Sequence, residues 1–152
     1  YSEELCRALA EQFQDAGVEV VIGPAMGAVQ MAYEVSRHLG CENFFAERED
    51  GKMTLRRGFV VKPGMKVLLV EDVVTTGGSV KEVMEIVREA GGEIVGVGSI
   101  VDRTNGKMDF GVPFKSVIAV DVQAWEPQDC PLCKEGKVEL VKPGSRKLPV
   151  KK

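Results

Sequence analysis

The stretch with the most chemistry in it is Glu71-Asp72, followed by Val73, Val74, Thr75, Thr76, Gly77, Gly78 and Ser79. Gly77 and Gly78 permit close backbone approach, and a helix beginning here would aim its first N–H groups and the positive end of its dipole outward. Thr75, Thr76 and Ser79 add hydroxyl donors. This is the chemistry of a phosphate cradle, yet Glu71 and Asp72 would repel a bare phosphate. The two demands are reconciled by a ligand that carries hydroxyls, or a divalent metal, beside its phosphate, and a sugar phosphate does so. A plain helix cap made by the same Thr and Ser side chains would account for the turn. It would leave unexplained two acids at the end of a buried strand, where desolvation without partners is costly. The pattern lacks the Gly-Lys-Ser/Thr of a Walker loop.

Other groups could join it. The segment 47–58 holds Arg48, Lys52, Arg56 and Arg57. Such a segment suits a mobile lid over a polyanion, or a solvated hairpin balanced by Glu47, Glu49 and Asp50. Arg103 follows an apolar run ending at Val101, where a guanidinium could grip a carboxylate with two parallel bonds or simply pair with Asp102 at the surface. Gly23-Pro24-Ala25-Met26-Gly27 is a tight connection between a strand and a helix. Cys130-Pro131-Leu132-Cys133 has half the spacing of a zinc knuckle and is read as two reduced cysteines in a structural turn. The single histidine, His38, falls within a helix and matches no motif.

The elements that must position these groups alternate. A helix capped by Ser2 is expected to run to about Asp15 and stop at Gly17, with Leu5, Leu9 and Phe13 on one stripe. A short β-branched strand over 18–22 precedes a helix over 27–38. A brief strand over 43–46 leads into the charged loop. The strongest strand, 66–71, ends at the two acids, and a helix over 78–90 follows. Two more apolar strands are expected over 94–101 and 117–122. Alternation at this length predicts an α/β fold, a parallel sheet with helices on both faces. Ligands bind such sheets beyond the carboxyl ends of the strands, where the Glu71–Ser79 stretch falls. Residues 1–125 would form this core and 126–152 an irregular C-terminal extension packed on it.

The bulk properties set limits. The chain has 152 residues, of which 44% are hydrophobic and 28% charged. That length suffices for one core, and the composition is that of an ordinary globular protein. The net charge of −3 argues against general nucleic-acid binding. From Lys134 onward there are seven basic and two acidic residues, a net +5 that leaves −8 for the rest. No apolar run approaches the ~18–20 residues of a membrane span. With no hydrophobic leader visible in Tyr1–Arg7, the four cysteines do not read as a disulfide framework, and a cytoplasmic location is expected.

The stretch 67–79 closely resembles the 5-phosphoribosyl-1-pyrophosphate (PRPP) motif of the type I phosphoribosyltransferases. Gly23-Pro24-Ala25, Glu47-Arg48, Asp102-Arg103 and the ending Cys130-Pro-Leu-Cys133…Lys142-Pro-Gly-Ser-Arg146 resemble the orotate branch of that family. The resemblance implies transfer of a phosphoribosyl group from PRPP to orotate, with Mg²⁺ as cofactor and a homodimer with shared sites. It implies that Glu71 and Asp72 hold the ribose hydroxyls, that Thr75–Ser79 hold the 5′-phosphate with Val73 and Val74 in the same PRPP-binding stretch, and that Pro24, Ala25 and Met26 form the pyrophosphate loop. Many orotate enzymes carry a Lys shortly after that Pro, where this chain has Met26 and Gly27. Thr75 and Arg103 would face orotate, since related hypoxanthine enzymes place an Asp where this chain has Thr75. Lys52, Arg48 and Asp72 would act on the reaction itself, the first two across a dimer. Mg²⁺ would be held mainly by PRPP rather than by a protein cage. The family's hood ahead of the first helix is not represented in this sequence, and its loop His is absent. A purine-specific relative, or a regulator that senses PRPP without turnover, would keep the same motif.

Overall fold

The structure, a computed structural model, describes residues 1–123, 125, 126 and 128–136. The chain divides into two units, Tyr1–Asp121 and Val122–Lys152. The first unit is built on a six-stranded sheet: β1 (Val20–Pro24), β2 (Glu42–Glu49), β3 (Lys52–Leu55), β4 (Lys66–Val74), β5 (Glu93–Asp102) and β6 (Phe114–Ala119), in the order β3-β2-β1-β4-β5-β6. Every pairing is parallel except β2 with β3.

Period-two burial on β4 explains the layering. Val67 and Leu69 join Val80, Val83, Met84 and Val87 of helix α3 (Gly78–Glu89) in one apolar cluster. Leu68 and Val70 join residues of α1 (Ser2–Glu11) and α2 (Val29–Leu39) in the other. A strand covered on both faces reads as a continuous apolar run, as Val67-Leu68-Leu69-Val70 does.

Several boundaries differ from expectation. Ser2 is not the cap of α1: the first helical bond runs from the Leu5 N–H to the Tyr1 carbonyl, so Ser2 already lies inside the first turn. The helix ends at Glu11, and a 3₁₀ turn (Gln14–Ala16) carries the chain to Gly17. Strand β1 continues through Gly23 and Pro24, which pair in register with Phe45 and Ala46. The largest difference is the charged loop, most of which is strand. Its first half extends β2 to Glu49, and β3 returns antiparallel. Between them Asp50 and Gly51 have φ angles of 49° and 83°. Positive φ at both central residues is what a two-residue hairpin turn of type I′ requires. Strand β6 starts at Phe114, three residues ahead of the apolar run that suggested it.

In the second unit, α4 (Pro131–Glu135) has Cys130 at its N-cap. Hydrogen bonds from the Cys133 amide and thiol hold the Cys130 thiol below its ordinary value. The Lys142–Arg146 ending and most of the basic tail lie outside the described residues.

Candidate active site

Three neighbouring strands, β1, β4 and β5, end at the same edge of the sheet. Each delivers one part of the site. Strand β4 runs on past Glu71 to Val74, so the two acids sit within its last residues, and Thr75-Thr76 leads out of it. Gly77, at φ 69°, is the N-cap of α3. An added β-carbon there would meet Cε1 of Phe110 at 2.8 Å. The turn therefore needs glycine both for its backbone and for the ring packed on it.

No side chain caps α3. The hydroxyls of Thr75, Thr76 and Ser79 make no hydrogen bond among the described residues, and Thr75 and Thr76 are exposed. The first-turn N–H groups of a helix lack intrahelical partners. Together these leave a cluster of free donors at the positive end of a helix dipole, which suits a phosphate.

After β1, the Ala25–Met26 peptide is cis, and Met26 is 85% exposed. The Ala25 N–H donates to the Ala46 carbonyl, whereas the N–H groups of Met26 and Gly27 donate to nothing among the described residues. Gly27 brings this loop against the Asp72 carboxylate. A cavity of about 520 Å³ opens beside the two, lined also by Leu5, Met31, Tyr33 and Ile100.

The acids differ. Asp72 is exposed, and its Oδ1 accepts from the Val73 N–H at 2.8 Å. Glu71 is half-buried, and its carboxyl is pushed up to about 8 by burial first, then by the hydrogen bond and charge of Asp72. At neutral pH Glu71 therefore holds a proton, which a cation partner would displace.

Strand β5 ends in Asp102, and Arg103 follows with its N–H on the Val74 carbonyl at 2.9 Å. That bond joins the β5 end directly to the end of β4. Arg103 is exposed, and its guanidinium has no ion pair or hydrogen bond among the described residues. Asp102 does not pair with it. The Asp102 carboxylate is 2% exposed and faces the turn that follows. The surface Asp–Arg pair considered from sequence is therefore not formed.

Arg48 and Lys52 stand apart from this group, on the β2–β3 hairpin at the sheet's outer edge. Arg48 is bidentate to Glu82 of α3, at 2.9 and 2.6 Å, and also donates to the Gly51 carbonyl. Arg56 and Arg57 pair with Glu47, and Arg56 also with Glu49. Lys52 has no such partner among the described residues. The structure thus gathers Pro24–Met26, Glu71–Ser79 and Arg103 and leaves the hairpin cations outside. Sequence reasoning passes over Thr104, Met108 and Phe110, the loop residues that tie Arg103 to Gly77. Their signal is slight, a buried aromatic and a Thr two residues past an Asp.

The chain is similar to known proteins. The family model described as "Phosphoribosyl transferase domain" matches residues 2–132. An orotate phosphoribosyltransferase of Caldanaerobacter subterraneus subsp. tengcongensis is 60% identical over 97% of this chain and 77% of its own length. One from Thermotoga maritima is 55% identical over 97% of this chain and 79% of its own. Among solved structures, the Mycobacterium tuberculosis orotate phosphoribosyltransferase in complex with PRPP shares 28% identity and a TM-score of 0.64, over 78% of this chain and 73% of that one. An adenine phosphoribosyltransferase from Rhodothermus marinus, at 20% identity, shares the fold with a TM-score of 0.68 over 77% of this chain and 78% of that one. Matched along nearly its whole length at more than half identity, the chain belongs to the orotate phosphoribosyltransferase family.

Proposed function

We propose that the protein transfers the 5-phosphoribosyl group of PRPP to orotate, giving orotidine 5′-monophosphate and pyrophosphate, as a step of pyrimidine biosynthesis. One observation carries the reading: an uncapped helix N-terminus with three unengaged hydroxyls lies directly after two adjacent acids at a strand end, Glu71 and Asp72. Phosphate and sugar hydroxyls belong side by side at such a place. The Thr75–Ser79 turn binds the 5′-phosphate, and Glu71 and Asp72 accept the ribose hydroxyls. The Met26 and Gly27 amides face the pyrophosphate. Backbone donors suffice there, which fits the absence of a lysine from this loop.

Bond breaking at C1 leaves an oxocarbenium-like centre, so the chain's contribution is positioning and charge stabilisation. Asp72, beside both the ribose and the pyrophosphate loop, is placed to stabilise that positive centre. Orotate already carries an anionic carboxylate, which Arg103 can grip, while Thr75 lines the base side without serving as a base. Mg²⁺, if bound, would neutralise the pyrophosphate charge, and Glu71 and Asp72 are the residues that would hold it beside PRPP. Lys52 on an edge strand, three strands from β4, is better placed to reach the site of a second chain than its own, which supports a homodimer with shared sites. A cytoplasmic setting fits the lack of any disulfide among the four cysteines. No helix among the described residues is long and apolar enough to cross a membrane.

The test is orotate consumption with PRPP and Mg²⁺, followed by its absorbance, with adenine, hypoxanthine and xanthine in parallel. Orotate turnover that is lost in Arg103→Ala supports the reading. Turnover of a purine alone overturns the assignment of the base, and PRPP binding without any turnover overturns the enzyme.

A further inference from the structure

Among the described residues, Asp102 is the only buried carboxylate. A buried charge persists only where hydrogen bonds replace its lost water. Oδ1 accepts from the backbone N–H and from the hydroxyl of Thr104, both at 2.7 Å, and Oδ2 accepts from the Gly106 N–H at 2.7 Å. Burial pushes this carboxyl up, but the three bonds outweigh it and hold the group below its ordinary value. The carboxylate therefore fixes the turn 102–106, in which Asn105 and Gly106 both take positive φ.

Arg103 lies inside that turn, anchored at its N–H to Val74, the residue before the phosphate turn. The network continues on the other side. The Thr104 hydroxyl accepts from the Met108 N–H at 3.0 Å, and Met108 and Phe110 lie against Gly77 at the start of α3. Asp102 is thus the hub of a short rigid link between the arginine and the phosphate turn. It is also the nearest acid in sequence to Arg103, and it is wholly engaged elsewhere.

We propose that Asp102 is a positioning residue: it holds Arg103 in register with the phosphate turn, leaves it without an internal counter-ion, and so sets the preference for a base that carries a carboxylate. This rests on the reading of orotate as substrate. A wrong angle of the guanidinium loses a bidentate contact without loosening the phosphate site.

The experiment compares the full-length wild type, Asp102→Asn and Thr104→Val. It measures KM and kcat for orotate and for uracil, which is the same ring without the carboxylate, together with KM for PRPP and the melting temperature. Asp102→Asn is expected to raise the orotate KM about tenfold, to leave the PRPP KM within about twofold, and to shrink the orotate-to-uracil selectivity by a similar factor. Thr104→Val, which keeps the carboxylate and its two backbone bonds but loses the hydroxyl's bonds to Asp102 and Met108, is expected to shift the same selectivity about threefold. Unchanged selectivity in folded Asp102→Asn overturns the proposal, as do equal losses for orotate and PRPP, which a merely structural role would produce. If Asp102→Asn does not fold, Thr104→Val decides, and unchanged selectivity there is equally fatal. A wild type that does not prefer orotate overturns the substrate reading and this inference with it. A wild type that prefers orotate, with variants that keep the preference in full, overturns the inference alone.

Discussion

Gly27 and Asp72 touch: a β-carbon on Gly27 would lie 2.5 Å from Oδ2 of Asp72 and 2.9 Å from its Cγ. The loop after β1 and the acid pair thus share one contact, and the loop can come this close because residue 27 has no side chain.

Gly27→Ala is therefore expected to push Asp72 aside. Both residues are exposed, and the Gly27 backbone is not in the left-handed region, so stability should change little. Displacement of a binding group by about 1 Å can cost up to about a hundredfold in rate, so kcat/KM for PRPP should fall at least tenfold. Steady-state kinetics beside a melting curve separate the two effects. An unchanged kcat/KM would place the ribose contact elsewhere.

Glu71 should make both stability and binding depend on pH. Its folded value is about 8 against an ordinary 4.5, so the folded chain holds a proton there that the unfolded chain has released. Stability from this group is fully present below about 4.5, is lost as pH rises through 8, and is constant above that. Glu71→Gln should be as stable as wild type near pH 4 and gain on it up to about pH 9. The gain should be on the order of 2 kcal/mol once solvent screening of a half-buried group is allowed for. Urea titrations across that range would show it, and a gap independent of pH would mean that Glu71 is solvated. The same proton should leave when Mg²⁺ and PRPP bind. Calorimetry at pH 7 in two buffers of different ionisation enthalpy should therefore report release of about one proton.

The hairpin supplies a separate prediction. Lys52 is without a partner among the described residues, whereas Arg48 is held by Glu82. If Lys52 steadies the departing pyrophosphate, Lys52→Ala should lower kcat about a hundredfold while the PRPP KM moves less than about threefold. Glu82→Gln should release Arg48. An exposed pair of this kind is worth up to about 1 kcal/mol, so the PRPP KM should fall about twofold to fivefold, and the effect should fade at high salt. No change in the PRPP KM would remove Arg48 from the pyrophosphate's surroundings.

How much of this was legible in the sequence follows from where each element lies. Strand β4 and helix α3 bury long apolar stretches against both layers, so Val67–Val70 and the spacing of Val80, Val83, Met84 and Val87 gave them away. The hairpin stood only as the alternative to a mobile lid, because β2 and β3 lie at one edge of the sheet and the charges of Glu47-Arg48-Glu49 and Lys52 suit either. The Asp50-Gly51 turn signal lacked the alternating apolar flanks that would have made it persuasive. Strand β6, at the other edge, was displaced for the same reason, since its first residues are Phe114-Lys115-Ser116. The strand end, turn and helix start carried by one continuous stretch, Glu71 to Ser79, were legible. The turn around Arg103 was not, because the burial of Asp102 depends on Thr104 and Gly106 folding back over it. No local pattern announces that.

Gly77 offers the sharpest test of how the phosphate turn is held. Its φ is 69°, and its missing β-carbon leaves room for Phe110 and Met108. A residue with a side chain adopts such a φ only under strain. Gly77→Ala should therefore lose stability twice, through backbone strain of about 1 kcal/mol and through displacement of a buried ring by roughly 1–3 kcal/mol. Phe110 is buried, so Phe110→Ala should lose about 3 kcal/mol by vacating the same space. In the double variant the clash has nothing to strike, so its cost should fall short of the sum of the two by at least about 1 kcal/mol. If the turn's backbone, and not the ring, meets the phosphate, PRPP affinity should follow Gly77→Ala in both backgrounds. A strictly additive double variant would mean that the ring and the turn do not touch in solution.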